Sequence, residues 1–218
     1  MSTRVLLADD HQILREGLAA LLNRERFDVV AQATDGMQAV ELAREYQPDV
    51  AVLDLSMPRL NGLDASREIA KVSPETKSIL LTMHTEEHYV LEALNMGIKG
   101  YVMKTHSVED LGEAIEQVAK GKTYLGSGLP EVIVQAYFGK AKPPGDILTA
   151  RERQVLQLVA EGNTTKKVAS ILGVSVKTAE SHRTRIMQKL DIHDSVRLVH
   201  YAIRRGLVHI ETPSHLEQ

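Results

Sequence analysis

Five short apolar runs in the first half of the chain constrain it most: residues 5–8, 29–33, 50–55, 79–82 and 100–103. They are β-branched or Leu-rich and do not alternate with polar residues, the pattern of parallel strands covered on both faces. Segments with helical periodicity separate or follow them, at about 11–24, 36–46, 62–72, 86–97 and 107–120. In the last, Leu111, Ala114, Ile115 and Val118 recur at the spacing of one helix face. Ser107 stands there as the N-cap, placing Glu109 and Asp110 on the first turn. Strict alternation of strand and helix implies an α/β fold. It predicts a doubly wound, five-stranded parallel sheet whose ligands bind at the carboxyl ends of the strands.

After Gly121 the rhythm stops. Gly126, Gly128, Pro130, Gly139, Pro143, Pro144 and Gly145 mark a linker, within which residues 131–138 are apolar enough for a short helix. Beyond it the pattern is helical throughout, at about 150–161, 165–172, 176–190 and 194–205. Thr149-Ala150-Arg151-Glu152 opens the first of these as a capping box. The expected division is an α/β domain at 1–121, a linker at 122–146, an all-α four-helix domain at 147–210 and a tail at 211–218.

Charge separates the halves. Residues 1–145 hold 15 Lys+Arg against 21 Asp+Glu, a net −6, whereas residues 146–218 hold 11 against 8, a net +3. Leaving out Asp146, Glu211 and Glu217 at the margins, the C-terminal domain carries +6. An acidic half joined to a compact basic half suggests regulation attached to nucleic-acid binding. The absence of cysteine excludes disulfides and thiolate metal sites and fits a reducing cytoplasm. No apolar run reaches the roughly 18 residues of a membrane span. The N-terminus leads directly into Val5-Leu6-Leu7, so neither a signal peptide nor a membrane partner is expected.

Asp9-Asp10 closes the first strand and Asp54 the third. Those ends are neighbours in a doubly wound sheet, so three carboxylates converge. Such a cluster repels itself without a cation, and oxygen-only ligands favour Mg²⁺. Thr82 ends the fourth strand and Lys104 follows the fifth, adding a hydroxyl and a point cation. A carboxylate nucleophile, a metal and charge compensation are the equipment for holding a phosphoryl group. His11, beside the acids, reads as a helix-start residue.

Residues 4–120 resemble the receiver domain of two-component signalling. The resemblance rests on Val5-Leu6-Leu7-Ala8-Asp9-Asp10-His11, Asp54-Leu55-Ser56-Met57-Pro58-Arg59-Leu60-Asn61-Gly62, Thr82, and Tyr101 with Lys104. It implies that Asp54 accepts phosphate from the phosphohistidine of a sensor histidine kinase. It further implies that Asp10, Asp54 and the Ser56 carbonyl bind Mg²⁺, with Asp9 assisting through water. Thr82 would then turn to the phosphoryl group and Tyr101 would swing inward. Many receivers carry proline after the lysine, often cis. Here Thr105 stands instead, where a cis bond would cost about 3 kcal/mol, so the isomer stays open. Ser56 and His84 occupy positions that tune phosphoryl lifetime in similar proteins. A haloacid-dehalogenase-type phosphatase would need a second acid where Ser56 stands, and an enzyme is not expected.

In the C-terminal half, Gly173-Val174-Ser175 forms a short turn with Ser175 as N-cap. Val168, Ala169 and Leu172, then Ala179, Ile186 and Leu190, form the inward faces. Lys177, Glu180, Ser181, Thr184 and Gln188 face out, flanked by Arg183, Arg185 and Lys189, a surface suited to the major groove of double-stranded DNA. Residues 148–207 resemble the LuxR-type helix-turn-helix. The match includes Leu148-Thr149-Ala150-Arg151-Glu152, Ala160-Glu161-Gly162, Val174-Ser175, Thr178, His182, Ile186 and Lys189-Leu190; Thr164-Thr165-Lys166-Lys167 and Ala179 depart from it. Together with the receiver this resembles the NarL/FixJ class across nearly the whole chain. The implied DNA-contacting residues are Lys177, Thr178, Glu180, Ser181, His182, Thr184, Arg185, Gln188 and Lys189. His182 lies either against the sugar-phosphate backbone or in the domain. Val196, Val199 and Ile203 either pair two domains, giving a homodimer on an inverted repeat, or pack within one. The expectation is a cytoplasmic transcription factor controlled by phosphorylation of Asp54. The alternative is a phosphorylation-independent regulator whose receiver serves only dimerisation or protein interaction.

Overall fold

The computed structural model describes residues 2–24, 26–83, 90, 93–94, 96–126 and 147–208. Most of the expected helix at 86–97, the expected helix at 131–138, His84 and the tail from 212 lie outside the described residues. The chain divides into two units, Met1–Gly145 and Asp146–Gln218.

The first unit runs β1 (Thr3–Ala8), α1 (Gln12–Arg24), β2 (Phe27–Ala33), α2 (Gly36–Tyr46), β3 (Val50–Asp54), α3 (Gly62–Val72), β4 (Lys77–Thr82), β5 (Gly100–Met103), α4 (Val108–Ala119) and β6 (Tyr124–Leu125). The strands form one parallel sheet in the order β2-β1-β3-β4-β5-β6. Successive strand side chains point to opposite faces, and here both faces are covered. Leu6, Ala51, Leu53 and Leu80 pack with Ala39, Ala43 and Ile69 on one side. Val5, Leu7, Val52 and Ile79 pack with Leu18, Leu22, Leu111 and Ile115 on the other. That double burial is why the strand sequences do not alternate.

The sheet has six strands where the apolar runs predict five. Tyr124–Leu125 pairs beside β5, with Tyr124 N donating to Lys99 O at 2.8 Å and Gly126 N to Tyr101 O at 2.8 Å. The segment read as the start of the linker is therefore the last strand of the first unit. The order reverses at β1, between β2 and β3, which opens a crevice at the carboxyl ends of β1 and β3. Gly62, the first residue of α3, fits because it has no side chain: a Cβ there would collide with the Asp54 carbonyl.

The second unit comprises α5 (Ala150–Ala160), α6 (Thr165–Ile171), α7 (Val176–Leu190) and α8 (Ser195–Arg204). Each start is capped by a side-chain oxygen accepting a backbone N–H: Thr149, Thr164, Ser175 and Asp194. The expected capping box of Thr149 and Glu152 is present, and so is one pairing Ser107 with Asp110 at α4. Gly173, at φ +62, makes the turn from α6 to α7. Leu156, Leu158, Val168, Ala169, Ala179, Ile186 and Leu198 form the core. Leu190 packs against it while only partly buried.

Candidate functional site

The crevice of the first unit gathers side chains from β1, β3, β4 and the segment after β5. Asp9 and Asp54 are 0% and 3% exposed, and Thr82 is fully buried at the end of β4. Lys104 reaches between the two acids, its Nζ 2.8 Å from Asp9 Oδ2 and 2.9 Å from Asp54 Oδ2. The Lys104 N–H donates to the Thr82 carbonyl at 2.8 Å, fixing the root of that side chain, and the Lys104–Thr105 peptide is trans. Burial pushes the Asp54 carboxyl above the usual range and Asp9 adds to this, while Lys104 and the Ser56 backbone N–H oppose it. Burial also works against the charge of Lys104, yet Asp54 and Asp9 together hold its ammonium above the ordinary value. The lysine therefore stays charged.

Asp10 is exposed at the rim. His11 N donates to Asp9 Oδ1 at 2.8 Å, and His11 Nδ1 lies 3.1 Å from Asp9 Oδ1 and 3.0 Å from Asp10 Oδ1. Buried Arg15 donates from Nη1 to the Asp9 carbonyl at 2.6 Å. The sequence reading gave neither residue a place in the pocket. His11 does begin the approach to α1, but its ring also clips two carboxylates. Arg15 grips a backbone atom, so no side-chain pattern announces it. Asp9, Asp10, His11 and Asp54 bring ligand atoms within 4.8 Å of one another. Three of the four donors are carboxylates, a hard set that fits Mg²⁺. Tyr101, which the resemblance implies swings inward, is already inside at 1% exposure.

On α7 the exposed residues are Val176, Lys177, Thr178, Glu180, Ser181, Thr184, Arg185, Gln188 and Lys189. Two cations at its margin are engaged within the unit. Arg183 donates to Ser195 Oγ at 2.7 Å, and Lys189 Nζ lies 2.7 Å from Glu152 Oε2. Glu152 is buried, which alone would raise its pKa, but Lys189 and the Thr149 N–H hold its carboxyl below the ordinary value. His182 is half-buried and its Nδ1 has no hydrogen-bond partner.

Residues 5–116 match the response regulator receiver domain, and residues 146–202 match the luxR family of bacterial regulatory proteins. The chain is 39% identical over 214 residues to the oxygen regulatory protein NreC of Staphylococcus haemolyticus, covering 94% of this chain and 99% of that one. It is a two-component response regulator of the NarL/FixJ class. The structure of the response regulator RcsB in complex with DNA is similar at 27% identity and a TM-score of 0.57, covering 92% of this chain and 98% of that one. A structure of two RcsB dimers bound to two parallel DNAs is similar at 28% identity and a TM-score of 0.55, with coverages of 92% and 98%.

This response regulator thus joins a receiver to a DNA-binding domain of LuxR type. Its receiver pocket unites Asp9, Asp10, Asp54, Thr82 and Lys104, with Ser56 two residues past the end of β3. Its helix-turn-helix is α6, the Gly173 turn and α7, with α7 offering the exposed polar face. Among the described residues, no helix is long and apolar enough to cross a membrane.

Proposed function

We propose that Asp54 takes a phosphoryl group from the phosphohistidine of a sensor histidine kinase, and that this controls DNA binding by α7. One observation carries the reading: Lys104 is buried between Asp9 and Asp54 at the carboxyl end of the sheet. In the reaction one Asp54 oxygen attacks phosphorus, the bond from phosphorus to the histidine nitrogen breaks, and the imidazole leaves. Asp9, Asp10, Asp54 and the Ser56 carbonyl would hold Mg²⁺, which when bound neutralises phosphoryl oxygens and favours in-line attack. Lys104 supplies a fixed positive charge to the transferred group, and the Thr82 hydroxyl donates to it. Both act in a site that largely excludes water, where such groups are most effective. The Tyr101 carbonyl accepts from Gly126 N, just past β6, so a shift of β5 at the pocket reaches the segment leading toward the second unit. Moving a population from mostly off to mostly on needs about 5 kcal/mol of differential stabilisation, a demand placed on the new charge at Asp54. The protein acts as a regulator of transcription, not as a turnover enzyme.

On DNA, Lys177 and Arg185 meet phosphates while Thr178, Glu180, Ser181, Thr184 and Gln188 face base edges. Two copies pair through α8 on an inverted repeat. Its Leu198 and Ala202 are buried in the unit's own core, whereas Val196 is 64% exposed and Val199 and Ile203 are half-buried. The unit thus leaves a second apolar stripe uncovered.

The test is phosphorylation by acetyl phosphate with Mg²⁺, comparing wild type with Asp54→Ala by intact mass and by DNA affinity at fixed salt. Wild type should gain one phosphoryl group and bind DNA more tightly, and the variant should do neither. Equal DNA binding with no phosphate uptake would make the receiver a docking module.

A further inference from the structure

Resting on the reading of α7 as the DNA-reading helix, we infer that Glu180 is a base reader that selects cytosine in each half-site. Between residues 147 and 208 there are five acidic side chains, and four are engaged within the unit. Glu152 holds Lys189 and the Thr149 N–H. Glu161 accepts from Gln157 Nε2 at 2.9 Å. Asp191 lies 3.3 Å from His193 Nε2, and Asp194 caps α8 by accepting from Arg197 N at 2.8 Å.

Glu180 is the exception. It is exposed in the middle of the α7 face, and among the described residues no cation lies within ion-pair distance of it. Lys177, three residues before, leaves it unpaired although that spacing allows a pair. Arg183, three residues after, is bonded to Ser195.

A free carboxylate in the centre of such a face is costly against DNA. It repels the phosphates that Lys177 and Arg185 attract, so it weakens binding to every sequence alike. That loss is recovered only where a base edge presents a hydrogen-bond donor, because an ionised carboxylate accepts and never donates. In the major groove only the amino groups of adenine and cytosine donate. On adenine the N7 acceptor lies beside the amino group and repels the second carboxylate oxygen. Cytosine carries a C–H edge there, so cytosine N4 is the matched partner. Glu180 therefore rejects non-cognate DNA by repulsion as well as favouring cognate DNA by contact, the two arms by which specificity is built.

The experiment is selection from a randomised duplex library with the acetyl-phosphate-treated 218-residue chain at fixed salt, for wild type, E180A and E180Q. In the wild-type consensus, one cytosine per half-site should be preferred about tenfold or more over the next base. E180A should make that position degenerate, leave the other positions in place and bind random-sequence DNA more tightly, by about two- to fivefold. E180Q should move the preference to adenine, whose N6 and N7 match an amide. A sharp wild-type consensus that E180A leaves intact at every position overturns the assignment alone. A wild type that enriches no sequence overturns the DNA-reading function beneath it as well.

Discussion

The receiver pocket and the recognition helix are built on opposite plans. The pocket is concave and nearly dry, and it draws Asp9, Asp54, Thr82 and Lys104 from segments scattered over almost a hundred residues. Its geometry belongs to the sheet, and each member is held by another. Helix α7 is convex and wet, and its exposed polar face lies on one continuous stretch, Val176–Leu190. There each side chain acts nearly alone. A buried, mutually dependent site should fail as a unit, whereas an exposed row should lose function in separable steps.

Substitutions can break that contrast. The largest effect is expected for Lys104→Ala, which should slow phosphorylation by acetyl phosphate about 100-fold or more, since it removes the cation held between Asp9 and Asp54. A loss under tenfold would mean that Lys104 only fills space between the acids. Gly62→Ala comes next. The added methyl meets the Asp54 carbonyl, so thermal unfolding should show the receiver weakened by about 2–3 kcal/mol, with slower phosphorylation alongside.

Glu152→Gln should destabilise the second unit by about 1–2 kcal/mol, because the Lys189 pair is only partly exposed and charge-assisted. The wild-type carboxyl is held below its ordinary 4.5. Its contribution is therefore complete above about pH 4.5 and is lost as pH falls through the lowered folded-state value. Melting curves between pH 7 and 3 should show that loss in wild type and a flatter profile in the variant.

The smallest effects sharpen the picture of the helix itself. Lys177→Ala and Arg185→Ala should each reduce the slope of log affinity against log salt by about 1. Lys189→Ala should change that slope less and instead lower the melting temperature, because its ammonium is engaged by Glu152. Equal slope changes at all three would show that Lys189 leaves Glu152 to meet phosphate.

The sequence exposes whatever is carried by side-chain pattern. Strands buried on both faces write themselves as apolar runs, and the pocket residues are legible because they stand where those runs end. What stays hidden is carried by backbone atoms or by long separations. Strand β6 is two residues long, and the hydrogen bonds that Tyr124 and the following Gly126 donate to the Lys99 and Tyr101 carbonyls leave no pattern in composition. Arg15 holds the Asp9 carbonyl, and the pairing of Lys189 with Glu152 spans 37 residues. The outward face of α7 is legible from periodicity. Which of its charges are already spoken for is not, because that depends on α5 and α8.

The brevity of β6 conceals a protective role. Without Tyr124 and Leu125, β5 would be the rim of the sheet, offering the Lys99 and Tyr101 carbonyls as an open template for a strand from another molecule. At the far rim, β2 exposes Asp28 and Gln32, polar residues that discourage such recruitment. A receiver shortened to end at Gly121 would keep its whole acidic pocket, yet it would carry an adhesive margin that Tyr124 and Leu125 cover in this chain.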